Sequence, residues 1–228
     1  MVNRLGPYEL GPGGEHEGIY TGDARILSAA IPDESVDLIF TDPVYQNIND
    51  YRWLAETAAR VLKDTGQLLV YQAHKFLPQT FLALAELRFV WLLAENTANF
   101  NTRYWPLRLF INWRPLLWYA KAKGRQLNRL CPDLIRVTTG YEGSHKWHKY
   151  DGVVCRWVSN FTTINDVIWD PFTGGGTVPA VCKMLGRRWL AFEIDPDVAE
   201  TARERVRNTQ PPLFVLEHEQ AEMTLGGD

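Results

Sequence analysis

Cysteine is scarce: the 228-residue chain has three, Cys131, Cys155 and Cys182. No pair of them has disulfide-framework or metal-ligand spacing, which argues against a stapled secreted domain or a zinc centre and leads to the expectation of a reducing cytoplasm. No apolar run approaches the ~20 residues of a membrane span. Met1 to Gly14 is Gly/Pro-rich and lacks an export signal's apolar core, so a soluble, unexported protein is expected. Positive charge is not in excess either. A net charge of −3 rules out a polycation as a whole. The one glycine-rich stretch lacks a Gly-Lys-Ser/Thr ending, which argues against a nucleotide-phosphate cradle.

Aromatic residues, by contrast, are plentiful, at 12% with nine Trp. They can fill a core, and they also suit stacking on flat ligands such as bases. Charge is unevenly spread. Between Arg103 and Lys149 there are ten Lys/Arg against two acids, Asp133 and Glu142, with Trp105, Trp113, Trp118 and Trp147 interleaved. Basic residues among aromatics match a polyanion that carries stackable bases, although a solvated basic face has the same composition.

Apolar spacing predicts strands at Gly18 to Asp23, Ser35 to Thr41, Gln67 to Gln72, Phe89 to Leu93, Leu107 to Asn112, Arg114 to Lys121, Asp166 to Trp169 and Trp189 to Phe192. Helices are predicted at Tyr51 to Leu62, Pro78 to Leu87, Val153 to Phe161, Val178 to Leu185 and Ala199 to Asn208, with a turn at Lys63 to Gly66. Alternation of this kind implies an α/β domain, a mostly parallel sheet wound with helices on both faces. The segment from Lys123 to Lys149 shows little periodicity and reads as an excursion from the core.

Two segments carry chemistry. Asp170-Pro171-Phe172-Thr173-Gly174-Gly175-Gly176-Thr177 leaves a strand and enters a helix, and Glu193 ends the next strand. Glycines let the backbone approach a ligand, and a carboxylate at that strand end can accept both hydroxyl hydrogens of a ribose. The pair predicts a site for an adenosine-containing cofactor. A nicotinamide dehydrogenase shares this layout, but its third glycine is missing, with Pro179 in its place, and one two-strand unit near the C-terminus cannot build the sheet alone.

The second segment, Asp42-Pro43-Val44-Tyr45, follows a buried strand. An exocyclic base amine is a poor nucleophile because its lone pair is delocalised into the ring. A carboxylate (Asp42) and a carbonyl (Pro43), each accepting one amino hydrogen, would localise that pair, and Tyr45 would stack on the base. No metal is required.

With these residues in hand, the chain resembles the amino-directed (N6-adenine/N4-cytosine) DNA methyltransferases, in the permuted beta-type order that puts the catalytic motif first. Asp42 to Tyr45 resembles the family's Asp/Asn/Ser-Pro-Pro-aromatic motif, and Asp170 to Thr177 its Asp-Pro-Phe-x-Gly-Ser-Gly-Thr loop. Leu185 to Arg188, and Phe192 to Asp195, match what usually follows. Gly22-Asp23 resembles an upstream Gly-Asp whose carboxylate approaches the cofactor adenine. His145 to Tyr150 is a fainter likeness of a His-x-x-x-Lys-Pro segment, with Lys149 aligned.

The resemblance implies a Rossmann-like class I methyltransferase fold with a mixed seven-stranded sheet and an antiparallel hairpin. It implies S-adenosyl-L-methionine as cofactor, held by Asp23, Lys149, Asp170, Phe172, Gly174, Gly176, Thr177, Glu193 and Asp195, with Asp42, Pro43 and Tyr45 catalytic. Residues 15–122 would be the catalytic half, 123–149 a small target-recognition excursion, 150–214 the cofactor half and 215–228 a tail. The expected substrate is adenine N6 in DNA, as a duplex with a flipped base or as a single strand. The alternatives are cytosine N4, adenine in RNA, or a silent binding module. A homodimer is compatible with the sequence. Val44 departs from the family's second proline but leaves both hydrogen-bond acceptors. A recognition segment this short implies a short or loosely specified target, or a second subunit. Lys123, Arg125 and Arg129 are expected on phosphates, so that neutralising each flattens the salt dependence of binding by about one unit.

Overall fold

The structure, a computed structural model, describes residues 3–97, 102–137 and 151–210. In chain order its elements are β1 (Arg4–Leu5), β2 (Tyr8–Glu9), β3 (Ile19–Thr21), α1 (Ala24–Leu27), β4 (Val36–Thr41), α2 (Ile48–Val61), β5 (Leu62–Tyr71), α3 (Leu77–Ala83) and β6 (Arg88–Thr97). They continue with β7 (Thr102–Tyr104), β8 (Leu109–Ile111), β9 (Arg114–Ala120), β10 (Leu134–Val137), α4 (Asp151–Phe161), β11 (Val167–Asp170), α5 (Thr177–Met184), β12 (Arg188–Glu193) and α6 (Pro196–Asn208).

Among the described residues eight strands form the main sheet, in the order β10-β6-β9-β5-β4-β11-β12-β3. All neighbours pair in parallel except at β9, which is antiparallel to both β5 and β6. Successive residues of a strand point to opposite faces, and the central strands supply apolar residues to both. Ile39, Val70 and Trp169 pack on one face with Tyr51, Leu54, Ala58 and Val61 of α2. Leu38, Phe40, Leu69 and Ile168 pack on the other with Trp157 of α4, Val181 of α5 and Ala202 and Val206 of α6. Helices on both faces are what the near-continuous apolar runs of β4 and β11 require.

The structure differs from the sequence reading in four places. The sheet has eight strands rather than seven, because Leu134–Val137, placed in the excursion, returns to the sheet edge as β10 beside β6. Leu107 to Asn112 is no core strand: β8 pairs only with β7, in a two-stranded hairpin off the main sheet. The turn at Lys63 to Gly66 lies inside β5 as an irregularity, where pairing with β4 steps from Val36↔Leu62 to Leu38↔Gln67. The Gly/Pro-rich start, for which no element is predicted from the sequence, is built into the core, since β1 and β2 pair and Leu5, Tyr8 and Leu10 are buried.

Gly176 sets the closeness of α5 to α6. It has φ 75°, and a Cβ there would lie 3.0 Å from that of Ala202. We therefore expect Gly176→Ala to lower stability by at least about 1 kcal/mol from the backbone alone, read as a reduced urea midpoint. An unchanged midpoint would contradict this packing.

Candidate active site

β4 and β11 are adjacent and parallel, with Leu38 opposite Ile168 and Ile39 opposite Trp169, so the two candidate motifs leave the sheet side by side. From β4 the chain crosses through α2 to β5 on one side, and from β11 through α5 to β12 on the other. The crevice between them is a topological switch point, where open α/β sheets bind ligands. Thr41 Oγ1 donates to Asp170 Oδ1 at 2.8 Å across this junction.

The glycine loop is held from several directions. Asp170 is buried, accepts from the Phe172 amide at 3.2 Å, and has its carboxyl pushed up to about 7 by burial, with Thr41 and the loop opposing that shift. Glu193 Oε2 accepts from the Gly174 amide at 2.9 Å and its Oε1 from the Asp195 amide at 3.0 Å. Each carboxylate oxygen keeps capacity for a further donor. At Gly174, with φ 48°, no atom lies within 4 Å of a built Cβ, so the backbone faces open space. Arg205 Nη1 clamps the loop through the Gly175 carbonyl at 3.0 Å and Thr177 Oγ1 at 2.9 Å. Phe172 sits edge-on to Trp53, with ring centroids 5.7 Å apart.

Asp23 lies on the same rim, since β3 pairs with β12 and the Gly22 amide donates to the Glu193 carbonyl at 2.8 Å. Asp23 also caps α1 by accepting from the Arg25 amide at 2.8 Å. Asp195 caps α6, accepting from the amides of Asp197 and Val198, so its carboxylate has a structural task of its own. Lys149 and the rest of His145 to Tyr150 lie outside the described residues, as does 215–228.

At the other motif Pro43 is buried, while Asp42 keeps 44% of its side chain accessible and Val44 faces solvent. Asp42 Oδ2 accepts from Arg114 Nη1 at 3.1 Å, and Arg114 Nη2 donates to Glu95 Oε2 at 3.0 Å. The guanidinium lies 3.6 Å above the Tyr71 ring. Glu95, only 1% exposed, also accepts from the Tyr71 hydroxyl and from Trp157 Nε1 at 2.9 Å. Burial pushes the Asp42 carboxyl above the usual range, while Arg114 and the Tyr45 hydroxyl pull it back. Tyr45 is pushed up to about 12 by burial and by Asp42. A cavity of about 660 Å³ opens beside this group, lined by Tyr45, Arg114, Gln72, Tyr104 and Phe110 among others.

A family model described as DNA methylase, of the N6/N4 type, matches residues 36–204, which takes in both motifs. The chain belongs to the N6/N4 DNA methylase family. It is similar to the Type II methyltransferases M.BamHI of Bacillus amyloliquefaciens (28% identity, 83% of this chain and 57% of that one) and M.HinfI of Haemophilus influenzae (26%, 85% and 69%). The chain thus spans little more than half the length of the first of these relatives. Among solved structures it is similar to the M1.HpyAVI-SAM complex, with TM-score 0.68, 24% identity and coverage of 82% of this chain and 98% of that one. The PvuII DNA methyltransferase (cytosine-N4-specific) matches with TM-score 0.67, 16% identity and coverage of 82% and 85%. These likenesses establish the Rossmann-like class I methyltransferase fold.

In this member of the N6/N4 DNA methylase family, Lys123, Arg125 and Arg129 follow the end of β9 that lies away from the crevice. β9 runs antiparallel, entering at Arg114 among the carboxyl ends of the parallel strands and leaving at Ala120 opposite Gln67, near their amino ends. Lys123, Arg125 and Arg129 follow that exit, and Arg125 Nη1 pairs with Asp166 Oδ2 at 2.6 Å. Sequence reading missed the Glu95–Arg114 pair. Its signal was present as a charge abutting each of two apolar strands, but only the register sets Glu95 directly opposite Arg114.

Removing one partner of a buried pair strands the other's charge, so Arg114→Leu should lower stability by about 3–5 kcal/mol. Adding Glu95→Gln should restore much of that loss in urea unfolding. The Asp42 carboxyl, deprived of the cation that lowers it, should titrate at higher pH by carbon NMR. An unmoved Asp42 titration would contradict the assigned contact.

Proposed function

We propose that this chain is an S-adenosylmethionine-dependent DNA methyltransferase acting on the exocyclic amino group of a base, adenine N6 in preference to cytosine N4. The observation that carries the reading is the Thr41–Asp170 bond between neighbouring parallel strands, which sets a glycine loop suited to adenosine beside a carboxylate and a carbonyl suited to an amine. The open backbone at Gly174 and the spare acceptor capacity of Glu193 fit the adenosine of S-adenosylmethionine. That cofactor, when bound, supplies an electrophilic methyl group on a sulfonium.

The protein's own work is to bind and orient. Glu193 would accept hydrogens from the ribose hydroxyls, Asp23 on the same rim would face the adenine, and Phe172 with the loop backbone would wall the pocket. Asp42 accepts one hydrogen of the target amine and the Pro43 carbonyl the other. The nitrogen lone pair is then localised and available to attack, and the carboxylate stabilises positive charge growing on that nitrogen. Arg114 holds Asp42 through Oδ2 and favours its ionised form. Tyr45 stacks on a base that has left its duplex. Val44, exposed and outside these contacts, does not remove either acceptor.

Adenine is favoured because the motif begins with an acidic residue, as the family resemblance suggests. Similarity to M.BamHI and M.HinfI, both Type II methyltransferases, supports DNA as substrate and a restriction-modification setting.

Transfer of labelled methyl to duplex DNA, single-stranded DNA and RNA, with nucleoside analysis, tests this reading. We expect N6-methyladenine in DNA. Asp42→Ala should cut transfer by roughly 10²–10³-fold or more while leaving S-adenosylhomocysteine affinity nearly unchanged. Methyl on cytosine N4 would refute the adenine assignment, and absence of transfer by the unmodified protein would refute the activity.

A further inference from the structure

The β7–β8 hairpin lies between β6 and β9, where the chain turns at the carboxyl ends of the parallel strands, and its residues line the same cavity as Tyr45 and Arg114. It has no other strand partner among the described residues. It nevertheless exposes an unusual set of large apolar side chains: Trp105 at 70%, Leu107, Leu109, and Phe110 at 60%. Arg103 and Arg108 are exposed among them, and the Arg103 guanidinium lies 5.7 Å from the ring centroids of both Trp105 and Phe110. Arg108, which ends the turn, is held in the left-handed conformation at φ 51°, a strained position for a residue with a Cβ. No acidic residue occurs between Glu95 and Asp133.

Exposed aromatics beside cations, without acids, at the mouth of a cavity suit a stacked polyanion better than another protein surface. A second copy of this hairpin would bring like charges together. We propose that the β7–β8 hairpin is the element that enters the DNA duplex, its apolar tip stacking on the bases left unpaired when the target nucleotide is extruded toward Tyr45, with Arg103 and Arg108 on the flanking phosphates. This rests on the function proposed above and assigns the DNA contact to a segment distinct from Lys123, Arg125 and Arg129. Extrusion leaves a gap in the stack, and a hairpin filling it favours the open duplex. Single-stranded DNA has no such gap, so the hairpin matters less there.

The test uses the full chain with two double variants, Trp105→Ala/Phe110→Ala and Arg103→Gln/Arg108→Gln. All four side chains are exposed, so thermal unfolding and S-adenosylhomocysteine binding should match the parent and serve as the folding control. Labelled-methyl transfer is measured on unmethylated genomic DNA, as duplex and after heat denaturation, and binding by fluorescence anisotropy across a salt series. The aromatic variant should lose about tenfold or more in kcat/KM on duplex and change less than about twofold on denatured DNA, a split that the loss of general folding would not produce. The arginine variant should flatten the salt slope of duplex binding by about two units, and Lys123→Gln/Arg129→Gln should leave it unchanged. Equal losses on both DNA forms, no loss on either, a slope that follows Lys123 and Arg129 instead, or a parent dimer that the hairpin variants dissociate would each overturn the proposal. A parent protein that binds DNA without transferring methyl would refute the activity alone, because the anisotropy series reads the hairpin independently.

Discussion

Thr41 and Asp170 stand 129 residues apart in the chain and meet through one buried hydrogen bond of 2.8 Å. One such hydrogen bond contributes on the order of 1 kcal/mol, but position matters more here than energy. The bond sits where two parallel strands end and their crossovers part, α2 to one face and α5 to the other. Everything in the site is referred to that junction: a glycine loop one residue beyond Asp170, and a carboxylate one residue beyond Thr41. A shift of one residue in the β4–β11 register would turn Thr41 away from Asp170 and separate the two motifs.

Around this junction the protein has divided its charges by burial. Asp170, buried and with no cation paired to it among the described residues, is driven toward neutrality. Asp42, beside the mouth of the cavity, is kept in reach of Arg114, which is itself fixed by Glu95 and the Tyr71 ring. Two carboxylates that follow similar apolar strands therefore differ in setting, one buried and holding a loop, the other partly accessible and, in the function we propose, free to meet a ligand. The Glu95 cluster extends this support through Trp157 into the α4 face of the core, so the geometry of Asp42 rests on packing as well as on its own loop.

Much of the fold and both loops were legible in the sequence because they are local. Apolar runs at Val36 to Thr41 and Val167 to Asp170, Gly174 and Gly176 before a helix, and a carboxylate at Glu193 each announce themselves within a few residues. What was not legible depended on pairing. The Glu95–Arg114 bridge exists only in the β6–β9 register, β10 joins the sheet with a short segment of weak periodicity, and the basic residues from Arg103 to Arg125 are split between opposite ends of the sheet by the direction of β9. Asp195 shows the converse limit: assigned to the cofactor from its place beside the family motif, it stands directly before Pro196, a helix-start signal, and its carboxylate caps α6.

The most direct measurement is a crystal structure of the chain with S-adenosylhomocysteine. The account predicts ribose hydroxyls on Glu193 and the thioether sulfur in the crevice between Gly174 and Asp42. A ligand seated on another face, or one whose sulfur is walled off from Asp42, would contradict it.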